Sequence, residues 1–436
     1  MTELARGLTR LNATAMVTGT IIGASIFVQP AEIARQLESP MSIMLAWIAC
    51  GVLTLFGAFV CAELASAFPQ TGGVYVFLRE AFSPLAGFLW GWAMFWSVHS
   101  GIIAAIAVVF GRYAVVLLPP SFQSDAVIRA LAVAVIVALS ALNYVGVRGG
   151  GRVQTVLTVV KVAAIALLVV CGFLVAPMAA PGPISSLPDH PGNPFVLAMV
   201  AGLFAYGGWH MVTYTAGETT MPARTIPTAL VVGVAIVTVC YVIVNLMYLR
   251  VLPLETVRNS TRIAADAADT MFGRGGQLLL SVLVLVSTCG SLTGIILTGP
   301  RMYFSMAQDG LAPRRLAWIE PRYKTPALAI AAQAVWSSVL AATGAYRTLF
   351  TRVVYTEWLF FALLAAGVFV LRRREDYRPA YRTWGYPAVP AIFIAVSLAV
   401  VVHQFVTDPL EAGFGLGIVA LGLPVYYLRD ANRRFS

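Results

Sequence analysis

Gly19-Thr20-Ile21-Ile22-Gly23-Ala24-Ser25-Ile26-Phe27-Val28-Gln29-Pro30 lies inside the first long apolar segment of the chain. Two glycines, small residues between them and a closing proline disfavour a continuous helix, because glycine costs backbone entropy and proline removes a donor. In hydrocarbon every unpaired N–H or C=O is expensive, so a break survives only where backbone is buried in protein or lines a cavity. The stretch therefore predicts a membrane helix that breaks, and the break marks a site.

The rest of the chain supplies the membrane context. Its 436 residues are 59% hydrophobic and 11% charged, mean hydropathy is +0.83, and apolar runs of about 20 residues recur throughout. This excludes a single soluble domain, whose core could not absorb so much apolar chain, and a β-barrel, which needs short alternating segments. The net charge of +10 lies mainly between apolar runs, which reads as membrane topology and not as nucleic-acid binding. Cys50, Cys61, Cys171, Cys240 and Cys289 are isolated inside apolar runs, so they read as packing residues. No metal or other cofactor is expected. The short polar Met1–Arg10 stretch, with no small-residue cleavage site after the first segment, predicts a retained first helix.

Spans are predicted at 12–36, 41–67, 84–118, 127–146, 153–175, 195–217, 227–252, 276–305, 326–343, 349–371, 387–406 and 411–428. Twelve spans put both termini on one side. Lysine and arginine concentrate in the connections sharing that side, among them Arg6, Arg10, Arg79, Arg152, Arg224, Arg314, Arg315 and Arg372. Both termini are therefore expected to be cytoplasmic. Residues 177–194 hold six prolines, from Pro177 to Pro194, and no lysine or arginine, which suits an extended strap between two halves. The expected divisions are a first five-helix repeat at 1–176, the strap at 177–194, a second repeat at 195–371, and two further helices with the tail at 372–436. Within the external loop 253–275, Thr261 to Met271 carries helical spacing before Gly273, so a short helix is expected there, as a vestibule lid or an ordinary loop element. Asn259-Ser260-Thr261 is a weak glycosylation match.

Span six occupies the position in the second half that span one holds in the first, and it reads Phe204-Ala205-Tyr206-Gly207-Gly208-Trp209-His210 at its centre. Glycine-interrupted segments at matching positions of two halves point to a carrier with a midplane site, against close packing of small residues. The predicted architecture is an all-α polytopic membrane protein of twelve helices, with a 5+5 inverted repeat, broken helices one and six, and two C-terminal helices. A half-helix beginning near Ser25 presents free N–H groups suited to a carboxylate. Half-helices ending near Ile21 and Phe204 present carbonyls suited to an ammonium. Held a few ångströms apart, these charges describe an α-amino acid.

The Gly19–Phe27 stretch resembles the first-helix signature of the amino acid–polyamine–organocation (APC) superfamily, and Phe204–Trp209 the sixth-helix signature of its L-type amino acid transporter branch. Ala62-Glu63-Leu64, Pro69-Gln70-Thr71-Gly72-Gly73-Val74-Tyr75, Arg152-Val153-Gln154, Arg301 and Asp309-Gly310-Leu311-Ala312-Pro313 extend the resemblance over nearly the whole chain. It implies a substrate carboxylate at the N–H groups of Gly23, Ala24 and Ser25, and an ammonium at the carbonyls of Ile21, Phe204 and Gly207. Ile26, Ala205 and Tyr206 complete the substrate set, Phe204 is the aromatic gate, and Trp209 packs beside the unwound turn. Relatives commonly read Gly-Ser-Gly where this chain has Gly23-Ala24-Ser25. Ser25 either restores the missing hydroxyl or narrows the pocket.

Lys161 lies deep in span five, and an intramembrane charge is a functional candidate. The resemblance makes it a built-in replacement for a sodium ion, reaching the break near Gly19 and the hydroxyls of Ser287 and Thr288. Sodium-independent transport is expected, by exchange or proton symport. No carboxylate or arginine is evident in the unwound segments or beside Thr288, Cys289, Ser291 and Thr293, which favours neutral amino acids. The alternative is a cationic amino acid or polyamine exchanger, with a sensor or channel as the remote one. An enzyme is not expected, since no catalytic constellation lies in the spans. His99 and His210 read as packing or pocket-lining residues, Glu63 and Glu218 as partners of loop arginines, and Glu357 as a solvated helix end, with a charge partner or gate residue as the alternative. Expected partners are the amino acid and the bilayer, in a bacterial inner membrane, as a monomer or weak homodimer. L-type relatives of animals join a glycoprotein through a cysteine after helix three; Pro119–Asp125 has none, so no disulfide-linked heavy chain is expected. Ala24→Ser is expected to tighten the uptake KM by offering the carboxylate a hydroxyl; an unchanged KM would tell against hydroxyl capture of the carboxylate at position 24.

Overall fold

The first apolar segment does break. In the computed structural model, which describes residues 4, 6–174, 193–260, 262–273, 276–344 and 346–434, the helix Arg10–Ile21 gives way to a 3-10 turn at Ala24–Phe27. The chain then resumes as Gln29–Gln36, and the two halves of the span are bent by 61°. Among the described residues nine further helices are long and apolar enough to cross a membrane, and Ala327–Thr343 and Tyr355–Leu371 are shorter apolar helices. All twelve expected segments fall on helix. The proline-rich strap lies outside the described residues except for its last two positions, as does Thr261.

Several helices start the same way. Ser39, Ser83, Asn193 and Asp408 cap helices whose first residue is Pro40, Pro84, Pro194 and Pro409. The cap side chain satisfies an orphan N–H, while proline occupies a position where no donor is needed. Close helix contacts use glycine. A Cβ at Gly19 would stand 2.2 Å from Thr158 Oγ1 and one at Gly51 2.4 Å from Thr238 Cγ2, so threonine side chains of spans five and seven sit directly on the glycine backbone of spans one and two.

Three features were not foreseen. Span three contains a π-helical turn at Met94–Val98 directly before His99. A helix at Val74–Ala81 follows the Gly72-Gly73 turn. The last span is two helices, Pro409–Ala420 and Gly422–Arg434, joined at Leu421. The external helix is present as Ile263–Phe272 and ends at Gly273, where φ is 65°. It packs on spans five, seven and eight and contributes no residue to the central cavity lining.

One end of the bundle is closed by charge pairs. Arg301 Nε and Nη2 donate to Glu218 at 2.7 and 3.1 Å, and both side chains are fully buried. The N-terminal segment lies against this pair: the N–H groups of Gly7 and Leu8 donate to the Glu218 carbonyl, and Thr220 donates to that of Leu8. Arg372 donates twice to Glu63 at 2.8 and 2.6 Å, and this carboxylate raises the Arg372 guanidinium above its ordinary pKa. Arg79 pairs with Asp309, which also accepts from Tyr75 Oη at 2.6 Å. Leaving one partner of a buried pair unmatched typically costs about 3–5 kcal/mol. Arg301→Met is therefore expected to lower the unfolding temperature in detergent markedly, and the double variant Arg301→Met with Glu218→Leu to recover much of the loss; additive losses would contradict a coupled pair.

Candidate functional site: two broken helices around one cavity

Ile22 takes φ −71° and ψ 85°, and Gly23 is extended at φ −111°, ψ −150°, with no side chain capping the turn that follows. This frees carbonyls on one side of the break and N–H groups on the other. The carbonyls are met by Lys161. Its Nζ donates to Gly19 O at 3.0 Å and Ile22 O at 2.5 Å, and lies 3.2 Å from Ser291 Oγ. Ser291 Oγ is also within 3.0 and 3.1 Å of the same two carbonyls. The expected hydroxyl set is corrected by one turn of helix. Ser287 Oγ reaches only Gly23 O, at 3.5 Å, while Thr288 donates back to its own helix at Val284 and Leu285. Thr288 is one residue, about 100°, away from the face that carries Ser287 and Ser291.

The sixth span breaks differently. The helix Pro194–Ala205 stops, Gly208 takes φ 97°, and a 3-10 segment runs from Trp209 to Glu218. A side chain at position 208 would strain that left-handed backbone. Thr20 Oγ1 lies 3.4 Å from Gly208 O. Tyr241 Oη, from span seven, donates to Ile21 O at 2.9 Å and lies 3.2 Å from Ala205 O. It thus ties both broken ends together, a role that nothing in a tyrosine within an apolar run announces.

A cavity of about 220 Å³ lies between the breaks, lined by Thr20, Ile21, Gly23, Ser25, Val28, Phe204, Ala205, Gly207, Gly208 and Trp209 together with residues of spans three, eight and ten. Its mouth is at Val28 and Phe204, 43% and 37% exposed, and its floor at Trp209 and Met211, 2% and 1%. Ser25 Oγ is 3.5 Å from Ala205 O. Of the expected substrate set, Ile26 is fully buried away from the lining. Tyr206 points elsewhere too, its hydroxyl on Trp47 O at 3.2 Å and its ring 5.0 Å from that of Tyr241. A ring one residue beyond the helix end is carried onto the span-two side. The backbone of Ala24 begins the turn, and its side chain lies outside what is described. Trp209 packs on Phe361, with centroids 5.1 Å apart.

Glu357 is the larger correction. It is not a solvated helix end but is 6% exposed, lines the cavity and stands 3.7 Å from His210 Nε2. It is the one ionisable side chain in the lining among the described residues. Glu63 pairs with Arg372, just past the end of the helix Tyr346–Leu371, but Glu218 pairs with Arg301 inside the helix Gly276–Gln308 and not with a loop arginine.

Comparison with known proteins gives this geometry a family. Residues 8–422 match the amino acid permease family. The serine/threonine exchanger SteT of Bacillus subtilis (strain 168) is 32% identical over 422 residues, 96% of this chain and 95% of that one. The human cystine/glutamate transporter is 30% identical over 439 residues, 98% of this chain and 85% of that one. Human large neutral amino acids transporter small subunit 2 is 30% identical over 432 residues, 96% and 79% of the two chains. The chain belongs to the amino acid permease family of the APC superfamily, on its L-type branch.

Proposed function

We propose that this multi-pass membrane amino acid permease carries neutral L-amino acids without sodium, by alternating access between the two broken helices. The observation that supports it best is the Lys161 ammonium, lodged between Gly19 O and Ile22 O at the break. A fixed cation occupies the place and the carbonyl ligands that a mobile one would need. The N–H groups of Gly23, Ala24 and Ser25, which precede the bonds of the 3-10 turn, suit the substrate carboxylate, and the carbonyl end at Ile21, Phe204 and Gly207 suits its ammonium. Ile21 O already accepts from Tyr241, but a carbonyl has a second lone pair. The apolar surface at Ile102, Ile106, Ile295 and Phe361 suits an uncharged side chain. The two five-helix halves would move against each other, in a bacterial inner membrane with both termini cytoplasmic. A second reading, a carrier of cationic amino acids or polyamines, draws support from Glu357 in the lining.

Uptake of a radiolabelled amino acid panel into liposomes, preloaded or empty, tests the reading. Neutral amino acids are expected to enter with sodium replaced by choline; a requirement for a sodium gradient would sink it. Competition by lysine, arginine and putrescine separates the second reading, and dependence on preloading separates exchange from symport. Within the same assay, Ser291→Ala removes a hydroxyl bonded at the break, worth about 1 kcal/mol, and is expected to slow uptake. Thr288→Val is expected to leave uptake near wild type, because that hydroxyl serves only its own helix.

A further inference from the structure

The proposed function leaves the Glu357–His210 pair unused. Glu357 Oε1 has no hydrogen-bond partner among the described residues, and neither ring nitrogen of His210 or of His99 has one. All three side chains are buried, His210 and His99 completely. Such groups are normally satisfied, because an unpaired polar atom in the interior keeps the full cost of leaving water. They are also neighbours. His210 lies 3.7 Å from Glu357 and 5.7 Å from the Tyr214 ring, and His99 lies 5.8 Å from the same ring. The Tyr214 ring in turn abuts the Gly72-Gly73 turn, where a Cβ on Gly73 would come within 2.3 Å of it. A row of titratable groups thus leads from the substrate cavity toward the closed end of the bundle.

We propose that Glu357 and His210 form the proton-coupling site of this carrier, so that a proton taken up by Glu357 from the open cavity crosses with the amino acid. The proposal rests on the amino acid carrier reading and selects symport within it. A carboxylate whose one ion-pair partner among the described residues is a histidine is far cheaper to bury once protonated. The O–H bond to a cavity hydronium breaks as the one to Glu357 forms, and His210 Nε2, 3.7 Å away, receives that proton and returns it once the pair closes to hydrogen-bond distance. Release to water at the closed end, once it opens, restores the carboxylate. Besides His99, the titratable groups of this layer are Tyr214 from span six, Tyr303 from span eight and Cys61 from span two, all of which interact electrostatically around Tyr214 together with Glu357. The arginine on span ten's own continuation, Arg372, is held by Glu63 at the far end of the helix. The reading differs from a cation subsite, in which Glu357 would stay ionised and hold a substrate's charged side chain.

The test uses the full chain in liposomes enclosing a pH-sensitive dye, with the neutral amino acids of the panel as substrates. Wild type is expected to acidify the lumen as amino acid enters, and an inward proton gradient to raise accumulation. In Glu357→Gln the acidification per amino acid moved should be lost and the pH profile of uptake flattened, while Glu357→Asp should restore acidification with a pH profile displaced from that of wild type. If Glu357→Gln moves nothing at all, Glu357→Asp decides: a displaced pH profile supports the proposal and an unchanged one overturns it. Acidification that survives in Glu357→Gln overturns it. So does wild-type uptake without proton entry, or a variant that loses only lysine and arginine uptake. A wild type that moves no amino acid overturns the carrier reading itself.

Discussion

The structure depends on one ammonium group meeting two bare carbonyls. Lys161 is fully buried, and a buried charge is tolerable only when its donors are used. The break in span one leaves Gly19 and Ile22 carbonyls without helical partners, equally intolerable in a membrane interior. Each defect satisfies the other at 3.0 and 2.5 Å, and Ser291 takes the remaining donor position. Without the cation the span would straighten or leave its carbonyls unpaired; without the break the lysine would have nothing to hold. The cavity and the open N–H groups beside it follow from that mutual dependence.

Span six reaches the same end without a charge. Glycine at position 208 admits the left-handed turn, and Tyr241 supplies the donor that the frayed helix ends lack. The Tyr241 hydroxyl donates to Ile21 O and sits 3.2 Å from Ala205 O, so both breaks abut one donor. Trp47, Tyr206 and Tyr241 then pack ring to ring behind it, with centroids 5.0 to 6.1 Å apart. The cavity wall on that side is a buried aromatic cluster, while the mouth at Val28 and Phe204 is exposed.

What could be read from the sequence was whatever is anomalous in an apolar run. Paired glycines in spans one and six and a lysine in span five stand out because each is costly there, and the structure places all three features at one centre. Residues whose role depends on how one helix is rotated against another could not be read. Ser287, Thr288 and Ser291 are equally small and polar, and only their angular position on span eight decides which of them meets Lys161. Glu357 was misplaced for a related reason. The helix of span ten begins at Tyr346, so Glu357 lies eleven residues, about 16 Å, inside it. A carboxylate is ordinarily solvated, and only the rotation of its helix toward the cavity makes this one part of the lining. Tyr241 carried no signal, since tyrosine is an ordinary packing residue.

The closed end poses a different physical question, because a carrier must be able to open it. An apolar plug of comparable size would expose hydrocarbon to water on opening, a cost of about 25 cal/mol for each Å². The plug here is instead Glu218 with Arg301, dry on both sides, and laced to the N-terminal segment by Gly7 and Leu8. Such a pair has already lost its hydration, and its attraction repays that loss with little to spare. When water enters, both ions recover their hydration as they lose each other, so closed and open arrangements lie closer in free energy than either would with a hydrophobic seal. The same argument explains why only complete separation into water is cheap. Removing one partner leaves a charge in the dry state with nothing to repay its burial, so the pair costs little to open and a great deal to mutate.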